Sequence, residues 1–199
     1  QAWRYGVRAM RSHVDSLGPW SESCWEVLSS LRQRWAGRVE LELVALVPMA
    51  HWLSPAGEQL ARKVAAKQGL LGGVLGPPYL QQGGEREALL ALLQLAEREG
   101  CGIDLHIDES DQLPPRGLLL LSDLLKEQRF EVPVVASHAS SMGLMEDRPL
   151  RLLAEGLAEG GVGVVALPTT NLWLLDRDPE TTPSRRPQAD RKSTRLNSS

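Results

Sequence analysis

The chain has 199 residues, of which 42% are hydrophobic and 24% charged, and it carries a formal net charge of −3. That balance suits one soluble domain or a large part of one, and the absence of any basic stripe excludes a nucleic-acid surface. No apolar run approaches the roughly 20 residues of a membrane helix, which excludes a membrane span.

The chain begins with Gln1 rather than Met and carries no signal-peptide pattern. Gly6 to Val14 reads as a strand with His13 and Asp15 at its end, and a helix follows from about Trp20 to Ala36, with Gly37 at its C-terminus. Val39 to Val47 is almost continuously apolar, as in a parallel strand covered on both faces, and Pro48 ends it. Ser54 and Pro55 form the N-cap and first position of the next helix. Leu70 to Leu75 is a short strand stopped by Gly76-Pro77-Pro78, and Glu85 to Glu99 is a Leu-rich helix ending at Gly100.

Ile103, Leu105 and Ile107 alternate with Asp104, His106 and Asp108, the two-residue period of a strand. Beyond it lie a helix from about Pro115 to Gln128 and a strand from Val132 to Ser137 running into His138. A helix from Pro149 to Glu159 and a strand from Val162 to Leu167, stopped by Pro168, follow. Asp190–Ser199 abruptly loses all periodicity and matches the translation of a sequencing adapter, so it reads as an artefact tail outside the fold.

Strands alternating with helices specify a parallel sheet. Polar residues collect where the strands end: His13 and Asp15, His106 and Glu109, His138, and Thr169-Thr170-Asn171. Sites in a (β/α)8 barrel lie at the C-terminal strand ends, so the expected fold class is α/β, an incomplete (β/α)8 TIM-type barrel. A full barrel takes about 250 residues, which leaves roughly two βα units unaccounted for and predicts truncation at both ends.

A strand-end His followed three residues later by Glu suits metal chemistry. The imidazole holds an ion, and the carboxylate, just off the strand, moves protons for a water. His51, beside Trp52, reads as rim packing, and Ser137 to Ser141 lacks the Gly-x-Ser-x-Gly elbow of a serine hydrolase. Gly72-Gly73-Val74-Leu75-Gly76 lacks the Lys and Ser/Thr of a phosphate loop and reads as close strand packing. Cys24 and Cys101 are far apart without C-x-x-C spacing, as expected for reduced thiols of a cytoplasmic protein.

Four segments occur in order: Arg11-Ser12-His13-Val14-Asp15, Asp104-Leu105-His106-Ile107-Asp108-Glu109, Ala136-Ser137-His138-Ala139-Ser140-Ser141 and Ala166-Leu167-Pro168-Thr169-Thr170-Asn171. Together, over about Val7 to Arg186, they resemble the cytosine deaminase branch of the metal-dependent amidohydrolase superfamily. The resemblance makes residues 1–189 a partial amidohydrolase barrel domain, strands two to seven of eight, with 190–199 as the tail. It implies one divalent metal ion, Fe or Zn, with His106 as a ligand. It further implies that Glu109 shuttles protons between the attacking water and the ring, and that His138 orients that water.

His13 and Asn171, at two other strand ends, are candidate substrate contacts. The implied partner is a small-molecule amino-heterocycle; the sequence leaves open whether the protein is a homo-oligomer. The implied activity is hydrolytic deamination, a cleavage of non-peptide C–N bonds. The family's His-x-His of the first strand and Asp of the eighth have no place within this sequence, so the chain alone is expected to be inactive. The family's substrate-reading Gln also lacks a counterpart, since Val44-Ala45-Leu46-Val47-Pro48 occupies its place. A barrel whose rim histidines only make hydrogen bonds is the competing reading.

Overall fold

The computed structural model of the chain describes residues 1–80 and 84–175; the tail Asp190–Ser199 lies outside them. Six strands are present: β1 (Ala9–Asp15), β2 (Glu40–Leu46), β3 (Leu70–Leu75), β4 (Ile103–Ile107), β5 (Val134–His138) and β6 (Val162–Val165). They form one sheet in the order β1-β2-β3-β4-β5-β6, with every pairing parallel. Helices α1 (Ser21–Trp35), α2 (Pro55–Ala66), α3 (Glu85–Glu99), α4 (Gly117–Glu127) and α5 (Asp147–Glu159) supply the crossovers, and α6 (Pro168–Leu175) follows β6. This is the expected half-barrel.

Local chemistry explains the boundaries. Ser54 caps α2 by accepting from the Gly57 N–H at 3.1 Å, with Pro55 in the first turn. Gly100 ends α3 in the left-handed conformation, φ 69°, which costs a residue without Cβ little. Leu71, Leu75, Ile103, Leu105 and Ile107 point outward from the sheet and pack with Leu89, Leu92 and Leu93 of α3 and Leu118 and Leu121 of α4. The leucine-rich faces of α3 and α4 are therefore core.

The glycine pair of β3 is close packing, as read from the sequence. A Cβ at Gly72 would lie 2.6 Å from the Asp104 carbonyl oxygen, and one at Gly73 would lie 2.7 Å from Met49 Sδ. His51 sits in a 3₁₀ turn, Met49–Leu53, whose Met49 and Trp52 are buried.

The other face of the sheet curls around the residues of interest. The imidazoles of His13 on β1 and His106 on β4 meet edge to face with ring centroids 4.3 Å apart. Three strand spacings would separate those backbones by about 14 Å in a flat sheet, beyond the reach of two imidazoles. The contact requires barrel-like curvature.

Candidate active site

β4 and β5 supply the centre of the site. His106 faces the interior beside Ser137 in register, and His138 is the last residue of β5. His138 has φ 73° and Ala139 φ 51°, so the chain turns through left-handed conformations as it leaves the sheet. Strained backbone of this kind gathers where a side chain must be aimed. It brings His138 Nε2 to 3.1 Å from His106 Nδ1.

Two acceptors approach the other His138 nitrogen: Asn171 Oδ1 at 2.8 Å and Glu109 Oε1 at 3.1 Å from Nδ1. A neutral His138 with its hydrogen on Nδ1 donates it to the nearer Asn171 and accepts at Nε2. His106 then donates from Nδ1 and keeps the lone pair of Nε2 available. Glu109 Oε1 is left buried beside the ring without a hydrogen of its own.

The electrostatics follow from burial and proximity. Burial first, then the neighbouring His13 and His138, push the His106 pKa down to about 4, so it is neutral, the form that binds metals. The close approach of the His138 imidazole holds Glu109 below the usual carboxylate range against the opposing effect of burial. Burial alone would lower His138, but Glu109 and Asn171 overcome it and raise its pKa.

Below this pair lies a polar layer. Asp104, buried on β4, receives Arg11 Nη1 at 2.7 Å and the Ser137 hydroxyl at 2.8 Å, with His13 Nε2 at 3.6 Å. Burial would raise its pKa; His13, Arg11 and Ser137 together keep it below the ordinary value.

The structure thus brings together all five candidate residues of the sequence reading. His106, Glu109, His138 and Asn171 form one connected group, and His13 joins it through its ring contact with His106. Two placements differ from expectation. Asn171, expected at a strand end, lies on α6, because Pro168 starts a helix there as well as ending the strand.

Asp108 does not continue the inward face of Asp104 and His106. Its φ of 50° turns it out of the strand, and its carboxylate accepts from the backbone N–H groups of Gly117 at 2.9 Å and Leu118 at 2.7 Å and from the Tyr79 hydroxyl at 2.6 Å. Burial raises its pKa while those bonds pull it back. The serines after β5 are structural too: Ser141 Oγ donates to the Asp108 carbonyl at 2.8 Å. Arg11, Asp104, Tyr79 and Asp108 were not singled out by sequence; only the shared period of Asp104 with His106 pointed inward.

The group fits a metal ion. His106, Glu109 and His138 each bring one ligand atom to within 4.8 Å of the others. His13 Nε2, Glu109 Oε1 and Asn171 Nδ2 are buried without hydrogen-bond partners among the described residues. Buried polar atoms are ordinarily satisfied, so three orphans beside one imidazole pair mark a place built for an added polar group or ion. Nitrogen and carboxylate donors suit zinc or iron. Among the described residues, no helix is long and apolar enough to cross a membrane.

No family model matches the chain. The pterin deaminase of Rhizobium rhizogenes is 32% identical over 184 residues, 92% of this chain and 41% of that protein. The 5-methylcytosine deaminase of Klebsiella pneumoniae liganded with phosphonocytosine superposes with a TM-score of 0.73 at 26% identity, covering 92% of this chain and 44% of that one. The N-isopropylammelide isopropylaminohydrolase of Burkholderia multivorans gives 0.62 at 27% identity, covering 81% and 41%. The chain therefore spans about two fifths of the length of these relatives. Similarity over nine tenths of its residues to one deaminase in sequence and another in structure places the chain in the amidohydrolase superfamily, in its cytosine/pterin deaminase-like branch.

Proposed function

We propose that the protein carrying this segment is a metal-dependent hydrolytic deaminase of a cytosine-like amino-heterocycle. The observation that carries the reading is the contact chain of His106, His138 and Glu109, with both separations 3.1 Å. The names of the relatives, deaminases of pterin and 5-methylcytosine, support the substrate class.

A divalent ion, iron or zinc, held through His106, supplies a water of lowered pKa when bound. Glu109, ionised and lacking a hydrogen-bond donor, takes the two protons of the attacking water in turn and delivers the first to the ring nitrogen and the second to the leaving amine. His138, fixed by Asn171 at Nδ1, turns its Nε2 from the His106 N–H to the attacking oxygen and holds that oxygen against the ring carbon. The C–N bond breaks, ammonia leaves and a ring carbonyl replaces the amine. Asn171, through its free Nδ2, and His13, through its free Nε2, contact the substrate.

The test uses the full-length protein loaded with iron or zinc and a panel of aminopyrimidines, aminopterins and related amino-heterocycles. Ammonia release that chelation abolishes supports the reading. A metal-loaded protein that releases none from the whole panel overturns it, and histidines confined to rim hydrogen bonds become the better account.

A further inference from the structure

Asp108 sits immediately before Glu109, and every polar group it owns is engaged. Its N–H donates to the Leu75 carbonyl at 2.8 Å, tying it to β3. Its carbonyl accepts from the Ser141 N–H at 3.1 Å and the Ser141 hydroxyl at 2.8 Å, tying it to the turn after β5. Its carboxylate lies on the first turn of α4 and accepts the Tyr79 hydroxyl. The approach to α4 is close enough that a Cβ at Gly117 would lie 2.9 Å from Ile107 Cγ1 and 3.1 Å from Asp108 Oδ1.

A helix cap alone does not call for this arrangement. Asn, Ser or Thr would cap α4 without burying a full charge, and an ordinary β-region backbone would avoid the left-handed turn at φ 50°. The turn has a directional consequence. It reverses the side-chain alternation of β4, so Glu109 swings back toward His138 instead of following the outward face. Tyr79 completes the clamp from the loop after β3. Its hydroxyl accepts from the Arg116 N–H at 3.3 Å, and the Arg116 guanidinium lies 5.0 Å over its ring and 3.1 Å from the buried Glu85.

The geometry points to Tyr79 and Asp108 as positioning residues that hold Glu109 in line for proton transfer. Among the described residues they make no hydrogen bond to His106 or His138 and act through the backbone of Glu109. The inference rests on Glu109 being the base of the proposed reaction, and it extends the working site to the loop after β3.

The experiment is a double-mutant cycle in the full-length protein between Tyr79→Phe and Glu109→Gln. Tyr79→Phe removes one hydroxyl and leaves both amide bonds to Asp108, so the fold survives. Alone it lowers kcat for ammonia release about tenfold, with KM and metal content unchanged, the scale expected of a slightly misplaced catalytic group. In the Glu109→Gln background it lowers kcat no further, because the group it positions is already disabled. Equal losses in both backgrounds, or a lowered melting temperature with unchanged kcat, overturn the proposal.

A crystal structure of metal-free Tyr79→Phe reads the same device without activity. The separation of Glu109 Oε1 from His138 Nδ1 is expected to widen from 3.1 Å by about 1 Å. An unchanged separation counts against the device even if the wild-type protein proves to be no deaminase, and a silent wild type with a widened separation removes only the functional reading.

Discussion

Arg11 and Asp104 are joined at 2.7 Å across the concave face of the sheet, from its first strand to its fourth. Arg11 also holds Glu42 on β2 at 2.8 Å, so one guanidinium links three strands. Asp104 is buried and Arg11 is partly open to solvent, so the two partners differ in what their loss exposes.

Arg11→Met is expected to destabilise the protein by about 2–3 kcal/mol, because a buried carboxylate loses its strongest donor. Adding Asp104→Leu removes the stranded charge and should recover part of the loss. Urea unfolding of both variants checks this, and a double variant less stable than Arg11→Met alone contradicts it.

Glu109→Gln keeps size and hydrogen bonding but removes the base. Metal content should stay near that of wild type while turnover falls about 10²–10⁴-fold. His106→Ala should lose metal and activity together. Metal analysis beside ammonia release separates the two roles, and a Glu109→Gln protein with undiminished turnover ends the proton-shuttle assignment.

The two thiols should differ sharply in reactivity. Cys24 is exposed, whereas Cys101 is 3% exposed and burial, with the nearby Glu99 charge, pushes its pKa up. The thiolate is the reactive form, so at pH 7–8 Cys101 stays protonated as well as covered. Native protein should take up a thiol reagent rapidly at Cys24 and slowly at Cys101, as peptide mapping would show.

Gln68 is an exposed residue with φ 52° at the end of α2, donating its N–H to the Ala65 carbonyl at 2.8 Å. The position takes the left-handed conformation in which glycine is preferred. Gln68→Gly should stabilise the protein by about 1 kcal/mol, and thermal melting checks the sign.

Much of this fold was legible because parallel strands buried on both faces leave apolar runs, as in Leu43 to Val47. The helices announced themselves through Ser54 and Gly100. The candidate site was legible as a row of strand-end polar residues, and the resemblance supplied their roles. What stayed hidden depended on single backbone torsions and on long-range pairing. The two-residue period continues through Asp108 in the sequence, and nothing in it shows that the chain turns left-handed there. Arg11 and Asp104 lie 93 positions apart, so no local pattern joins them. Pro168 is compatible with both a strand end and a helix start, and only the second puts Asn171 within reach of His138.

The sheet follows the order of the chain, each strand pairing only with its predecessor and successor. Such a sheet can grow during synthesis, each new βα unit docking on the edge its predecessor left, with no strand having to insert between two already paired. The working groups are distributed along that sequence of events: His13 arrives with the first unit here, Tyr79 after the third strand, Glu109 after the fourth, His138 with the fifth and Asn171 after the sixth. A nascent chain that ends before β5 therefore carries Glu109 without His138 and Asn171 beside it. Assembly of the sheet and of the group of side chains it carries proceed together, one unit at a time.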